Sequence, residues 1–398
     1  MGGTTIYLAD GQGVQAPVEP RTWVDQSGTT RGDPLRAKWL NRDISSAVDW
    51  HRRVTTFQAL RTTALSVPAS TWTPVPLDRE LIDTSGGHSD ETNTSRWYSP
   101  TSTGFTDWWL VSGHVTFGGA AGGVRIAGLR VNGGGTIQEG MKVTATAAHG
   151  CSVQLIDLVE MTNSGSAYME LMTYQSTAGS VNTTVSGKSP SFTARWVSMA
   201  TDIGVVSPAP ATPRTWTSAD VLSATDTSGG KIALNEHVRD VIRYLHFPPI
   251  ARLTSQGTAQ TIPTGTGSWT SITLGTETVD NYAGHSTVSN TSRYVCQRAG
   301  LYYVAGLASV SETAANVGFR AVRLLHTIAA GGTAVYQGCS TTPVTNNAIG
   351  TAIYATGWVR MAVGDYVEVQ FQHTQGASLS VQTGAGNCSR LIAVWRRP

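Results

Sequence analysis

The sequence has 398 residues, 14% of them charged and 40% hydrophobic, with 43 glycines and a formal net charge of +2. A chain this long exceeds one compact core and predicts two or three domains, with too much apolar content to remain unfolded. Near-neutral charge and scattered basic residues exclude nucleic-acid binding, and no apolar run reaches the length needed for membrane insertion.

In chain order, residues 1–19 read as an N-terminal arm. The start, Met1-Gly2-Gly3-Thr4-Thr5, has no basic stretch leading into an apolar run, so synthesis in a cytoplasm without a secretory leader is expected. Residues 20–53 form a first spacer, in which Leu40, Ile44 and Ala47 mark one face of a short helix. Residues 54–200 turn to β patterning. A linker at 201–212 is rich in proline and alanine, which predicts a stiff, extended segment. A second spacer at 213–249 repeats the stripe more clearly with Leu234, Val238, Val241 and Leu245, and Pro248-Pro249 ends it. A helix of about a dozen residues is marginal alone in water, so the stripe packs on its own sandwich or forms a seam with other copies. Residues 250–398 are again β: Tyr302-Tyr303-Val304-Ala305-Gly306-Leu307 and Tyr366-Val367-Glu368-Val369-Gln370-Phe371 are rich in aromatic and β-branched residues between Gly, Thr and Ser turns. The predicted fold is mostly β, with two tandem antiparallel sandwiches, each preceded by a short helical spacer.

An internal repeat supports that division. Pro20-Arg21-Thr22-Trp23 returns as Pro213-Arg214-Thr215-Trp216 at an offset of 193. Trp72, His88 and Thr94-Ser95-Arg96 return as Trp269, His285 and Thr291-Ser292-Arg293 at 197. Tyr168 and Glu170 return as Tyr366 and Glu368 at 198, and Trp196 returns as Trp395 at 199. The order is kept while the offset drifts, as small loop changes would produce.

Candidate chemistry is sparse. His88 and His285 each follow a glycine and lie near an acid, Asp83 or Asp280, but no strained Gly-x-Ser-x-Gly turn frames a nucleophile. Asp78, Glu80, Asp83, Asp90 and Glu91 could furnish a glycosidase pair or a Ca²⁺ site, yet they lack the spacing that would make either specific, and solvated loops explain them. Cys151, Cys296, Cys339 and Cys388 have no paired metal spacing and read as buried free thiols, with one disulfide among the three in the second half as the alternative. No enzyme, cofactor or metal centre is therefore predicted. The aromatic pairs Trp108-Trp109 and Tyr302-Tyr303 read as core or interface packing, whereas Trp97, Tyr98, Asn281, Tyr282 and His285, in or near loops, are the candidate surface contacts.

Two resemblances bear on function. Tyr294-Val295-Cys296-Gln297-Arg298-Ala299-Gly300-Leu301-Tyr302-Tyr303-Val304, with Val279-Asp280-Asn281 and Gly364-Asp365-Tyr366-Val367, resembles the jelly-roll heads of complement's first component and the tumour-necrosis-factor family. The closing strand of that family carries a Phe and a Gly that Leu391-Ile392-Ala393-Val394-Trp395 lacks. Pro213-Arg214-Thr215-Trp216, Asn235, Arg239-Asp240 and Leu245 are similar to the spacer of minor tail proteins of phages infecting actinobacteria. These likenesses imply a homotrimeric virion component of the phage tail (tip, baseplate or fibre) that contacts other tail or baseplate proteins. Its heads would be presented to host cell-surface glycan. A capsid or baseplate decoration without receptor contact, and a tail-associated glycan hydrolase, are the competing expectations.

Overall fold

The computed structural model describes residues 5–7, 13–15, 55–99, 106–120, 122–145, 150–162, 166–185, 188–200, 247–265, 267–311, 317–329, 331, 335–345 and 350–397. The expected helical stripes, carrying Leu40, Ile44, Ala47, Leu234, Val238, Val241 and Leu245, and the linker at 201–212 lie outside the described residues. Every regular element among the described residues is a β-strand.

A short ribbon pairs β1 (Thr5–Tyr7) with β2 (Gly13–Gln15). The N-terminal sandwich comprises β3 (Thr56–Leu60), β4 (Ser66–Val67), β5 (Thr73–Pro74), β6 (Arg79–Asp83), β7 (Arg96–Tyr98), β8 (Thr106–Thr116), β9 (Val124–Val131), β10 (Gln138–Thr144), β11 (Ser152–Thr162), β12 (Tyr168–Gln175), β13 (Val181–Asn182) and β14 (Ser191–Met199). One of its sheets runs β11-β8-β14-β3-β6, and the facing sheet runs β10-β9-β12 with β5 and β7 both on β12. The C-terminal sandwich comprises β15 (Ile250–Thr254), β16 (Thr261–Ile262), β17 (Thr270–Ser271), β18 (Thr276–Asp280), β19 (Arg293–Val295), β20 (Gly300–Val310), β21 (Val317–Thr327), β22 (Val335–Thr345), β23 (Thr351–Met361), β24 (Tyr366–His373), β25 (Leu379–Ser380) and β26 (Arg390–Arg397). Its sheets run β23-β20-β26-β15-β18 and β22-β21-β24, with β17 and β19 both on β24.

The two halves have the same connectivity. Replacing each strand of the first by the strand twelve places later reproduces the second, down to the small pairs β4–β13 and β16–β25. In each half the chain crosses repeatedly between two antiparallel sheets, which is a jelly roll.

Local sequence explains the packing. Alternation on β8 sends Trp109, Val111 and Val115 inward, while β20 sends Tyr302, Val304 and Ala308 inward. Trp109 meets Trp97 of β7 with ring centroids 4.8 Å apart, and Tyr302 meets Tyr294 of β19 at 6.2 Å. Burying each of these rings fully contributes roughly 1.5–3 kcal/mol. Gly113 and Gly306 take the same place on the two long strands. A Cβ there would lie 2.4 Å from Leu171 Cδ1, or 2.6 Å from Val369 Cγ2, so each glycine lets the facing sheet close in.

The repeated polar residues also find one another. Ser95 and Arg96 bond Glu170, and the Arg96 guanidinium lies 4.3 Å from the Tyr168 ring centroid. Ser292 and Arg293 approach Glu368 in the same way, with Arg293 4.2 Å from the Tyr366 ring centroid. Residues that recur at offsets of 197 and 198 therefore build one contact cluster twice.

Candidate functional site

The two sandwiches touch through the outward faces of β8, β11 and β14 on one side and β15, β20, β23 and β26 on the other. Trp108, Ile156, Leu158 and Val197 pack against Ile250, Leu307, Tyr354, Ile392 and Val394 in a second apolar cluster. At the rim, β10 pairs antiparallel with β23 through Lys142 and Ala352, which fuses a sheet of each half into one of ten strands.

A buried polar cluster fastens this junction. Asp157 occupies a position on edge strand β11 where alternation between Leu155 and Val159 calls for an apolar side chain. Arg390 enters between β10 and β11, bonding Asp157 Oδ2 and the Glu139 carbonyl. Arg252 donates from Nε to Asp157 Oδ1 at 2.7 Å and from Nη2 to Oδ2 at 3.1 Å, and it also reaches Gln138 and Thr278. The Leu158 amide donates to Asp157 Oδ1 at 2.8 Å. Burial alone would raise the Asp157 carboxyl, but Arg252 and Arg390 outweigh it and hold the group below its ordinary value. Arg390 moves consistently: burial would lower it, and Asp157 keeps it raised. Tyr354 completes the seam, donating to Ile156 O at 2.8 Å and accepting from Ile156 N at 3.1 Å. Burial pushes its phenol up to about 12, with the Arg390 charge opposing.

The cover stops partway along the C-terminal face. Toward the Gly300 end, Tyr303 is half-buried and Trp358 is 54% exposed, their rings edge to face at 5.2 Å. Trp358 shares the outward phase of β23 with Tyr354, Thr356 and Arg360. This open aromatic end is suited to a protein contact, because aromatic rings are enriched at interfaces.

The sequence-predicted contacts sit elsewhere. Trp97 is fully buried and stacks on Phe57 at 5.6 Å, which corrects its reading as a surface residue. The cause is strand phase: in the three-residue β7 the central side chain points inward. Tyr98, beside it, is half-exposed with its ring 5.5 Å from that of Tyr168. Tyr282 is also corrected, being 7% exposed, donating to Phe247 O at 3.3 Å and lying under Arg298. Asn281 ties the chain to the start of β15, accepting from Ile250 N and donating to Pro248 O, both at 2.8 Å. His285 has its ring nitrogens 2.7 Å from the carbonyls of Arg293 and Leu274. These three secure a loop rather than present a surface. Trp358 escaped sequence reading, although an aromatic in register with Thr356 and Arg360 is the signal that marks it. Trp108 and Trp109 divide as their alternation requires, one at the junction and one in the core. Cys151, Cys296 and Cys388 are free thiols.

No family model matches the chain, and no curated protein matches its sequence. Among solved structures it is similar to murine APRIL at pH 5.0, at 9% identity over 37% of this chain and 98% of that one, with a TM-score of 0.29. It is likewise similar to Eiger TNF from S. frugiperda, at 9% identity over 38% of this chain and 95% of that one, again with a TM-score of 0.29. The jelly-roll assignment itself rests on the strand order of each half.

Proposed function

We propose that this chain is a non-catalytic structural and adhesive component of a phage tail. It works as a homotrimer, and its two sandwiches descend from one duplicated unit. The observation that carries the assembly reading is the exposed Trp358 ring on half-buried Tyr303, at the open end of a face whose other end is already covered by the sister sandwich. Identical connectivity and the twice-built Ser-Arg-Glu-Tyr cluster support duplication. The tail assignment draws on the likeness of Pro213-Arg214-Thr215-Trp216 and the segment after it to phage tail spacers. Weak contacts to host-surface glycan, multiplied across three copies, suit the adhesive part of the role.

Light scattering on the purified chain tests the assembly. A trimer weighs 3 × 42.1 kDa, and Trp358→Ala should shift that mass toward the monomer. A wild-type monomer at high concentration would refute self-assembly. For the adhesive part, soluble protein should block adsorption of the parent particle to its host; undiminished adsorption would leave a decoration role instead. Deleting the C-terminal sandwich is a poor test, because it would strip the cover from Trp108, Ile156 and Leu158.

A further inference from the structure

The loop between β6 and β7 differs between the two halves in a way that points to a ligand. In the N-terminal half, Asp83 organises the loop: Oδ1 accepts from Ser85 N, Ser85 Oγ and Gly86 N, and Oδ2 accepts from His88 N at 2.9 Å. The His88 imidazole has no exposed surface, although the residue as a whole is half-buried through its backbone. Its Nε2 lies 3.0 Å from the Thr94 carbonyl, which can only accept, so Nε2 carries the hydrogen. The Nδ1 lone pair then faces Glu80 Oε1 at 3.0 Å and Asp90 Oδ1 at 3.5 Å. With Nε2 carrying the hydrogen of the neutral ring, three electron-rich atoms converge, an arrangement that a cation at Nδ1 would satisfy.

The C-terminal half provides a comparison within the same molecule. His285 follows its loop acid in the same way, its amide donating to Asp280 Oδ2 at 2.7 Å. Its ring, however, spans two backbone carbonyls, and Thr287 stands where the offset of 197 would place the second acid. There the histidine braces a loop; in the N-terminal half the same residue is turned onto two carboxylates.

We propose that Glu80, His88 and Asp90 bind a divalent cation of the zinc class. Their ligand atoms lie within 4.8 Å of one another. A tetrahedral Zn²⁺ with bonds of about 2.1 Å sets its ligands about 3.4 Å apart, close to the two distances from Nδ1. The remaining closure falls to Glu80 and Asp90, whose side chains are 35% and 46% exposed and free to adjust. An imidazole with two carboxylates favours a borderline metal over Ca²⁺, which takes oxygen ligands. The Nε2 hydrogen bond to Thr94 is the outer partner that fixes a ligating histidine. Three protein ligands leave one position at the surface for water or an oxygen of a bound molecule.

The test uses the full chain, stripped with chelator and titrated with Zn²⁺, and with Co²⁺ for its visible absorption. One ion per chain is expected, with E80Q and D90N each weakening binding about tenfold or more and H88A abolishing it. Thermal midpoints of E80Q and D90N should match wild type, which separates lost ligation from lost folding. No saturable binding, or equal affinity in all three variants, would overturn the site and leave His88 as a loop brace like His285.

Discussion

Asp157→Ala removes the carboxylate that faces two guanidiniums, Arg252 and Arg390, at the junction of the sandwiches. Asp157 and Arg390 have no exposed side-chain surface and Arg252 has 11%, so solvent offers almost no screening to discount. The variant strands Arg390 with the Glu139 carbonyl as its remaining partner and withdraws two bonds from Arg252. Breaking a buried pair from one side costs about 3–5 kcal/mol, because the surviving charge stays desolvated. Since the acid belongs to one sandwich and both arginines to the other, the loss falls on their contact. We expect wild type to unfold in one calorimetric transition and Asp157→Ala in two, with the urea midpoint lowered. Replacing the whole set, Asp157→Leu with Arg252→Met and Arg390→Met, should recover much of the deficit, since apolar replacements of a buried ionic cluster are well tolerated. The pH dependence follows from the depressed carboxyl. Its stabilisation is present in full above the ordinary value of 3.8 and is lost as pH falls through the lowered folded value, and Asp157→Ala should lack that acid limb. A variant within about 0.5 kcal/mol of wild type, unfolding in one transition, would refute the reasoning.

Tyr354 predicts the opposite limb: with its phenol raised to about 12, its contribution is intact below the ordinary value of 10.0 and is lost as pH climbs through 12. Absorbance titration should show a late tyrosine component that Tyr354→Phe reduces, the half-buried Tyr303 phenol, also pushed up by desolvation, contributing to what remains. Gly284→Ala would set a Cβ 2.5 Å from the Val295 carbonyl, a backbone atom, and should cost about 1–3 kcal/mol by chemical denaturation. Trp358→Ala, on an exposed ring, should leave stability within about 0.5 kcal/mol while reducing the solution mass; unchanged mass would remove this ring from the assembly contact.

Strand patterning and the repeat carried much of the architecture. β-branched and aromatic runs, such as Tyr302 to Leu307, marked the strands because period-two alternation is a local property of a pleated chain. The recurrence of Ser95-Arg96 with Glu170 as Ser292-Arg293 with Glu368 marked two equivalent halves, since equivalent contacts demand equivalent residues. The surface contacts were less legible. Trp97 and Tyr98 are neighbours in sequence, yet one is core and the other half-exposed, and only the pairing of β7 with β12 fixes that phase. Asp157 could be recognised as a charge in an apolar register, but its partners lie 95 and 233 residues away. Likewise Glu80, His88 and Asp90 read as scattered loop residues until Asp83 and the Thr94 carbonyl orient the ring between them. The sequence by itself determined strand content, the two matching halves and the polar residues repeated in each, because those depend on local periodicity and composition. Tertiary structure decided which side chains meet across the junction, which aromatic stays uncovered and which histidine faces carboxylates, because contacts between distant segments depend on sheet register and strand phase.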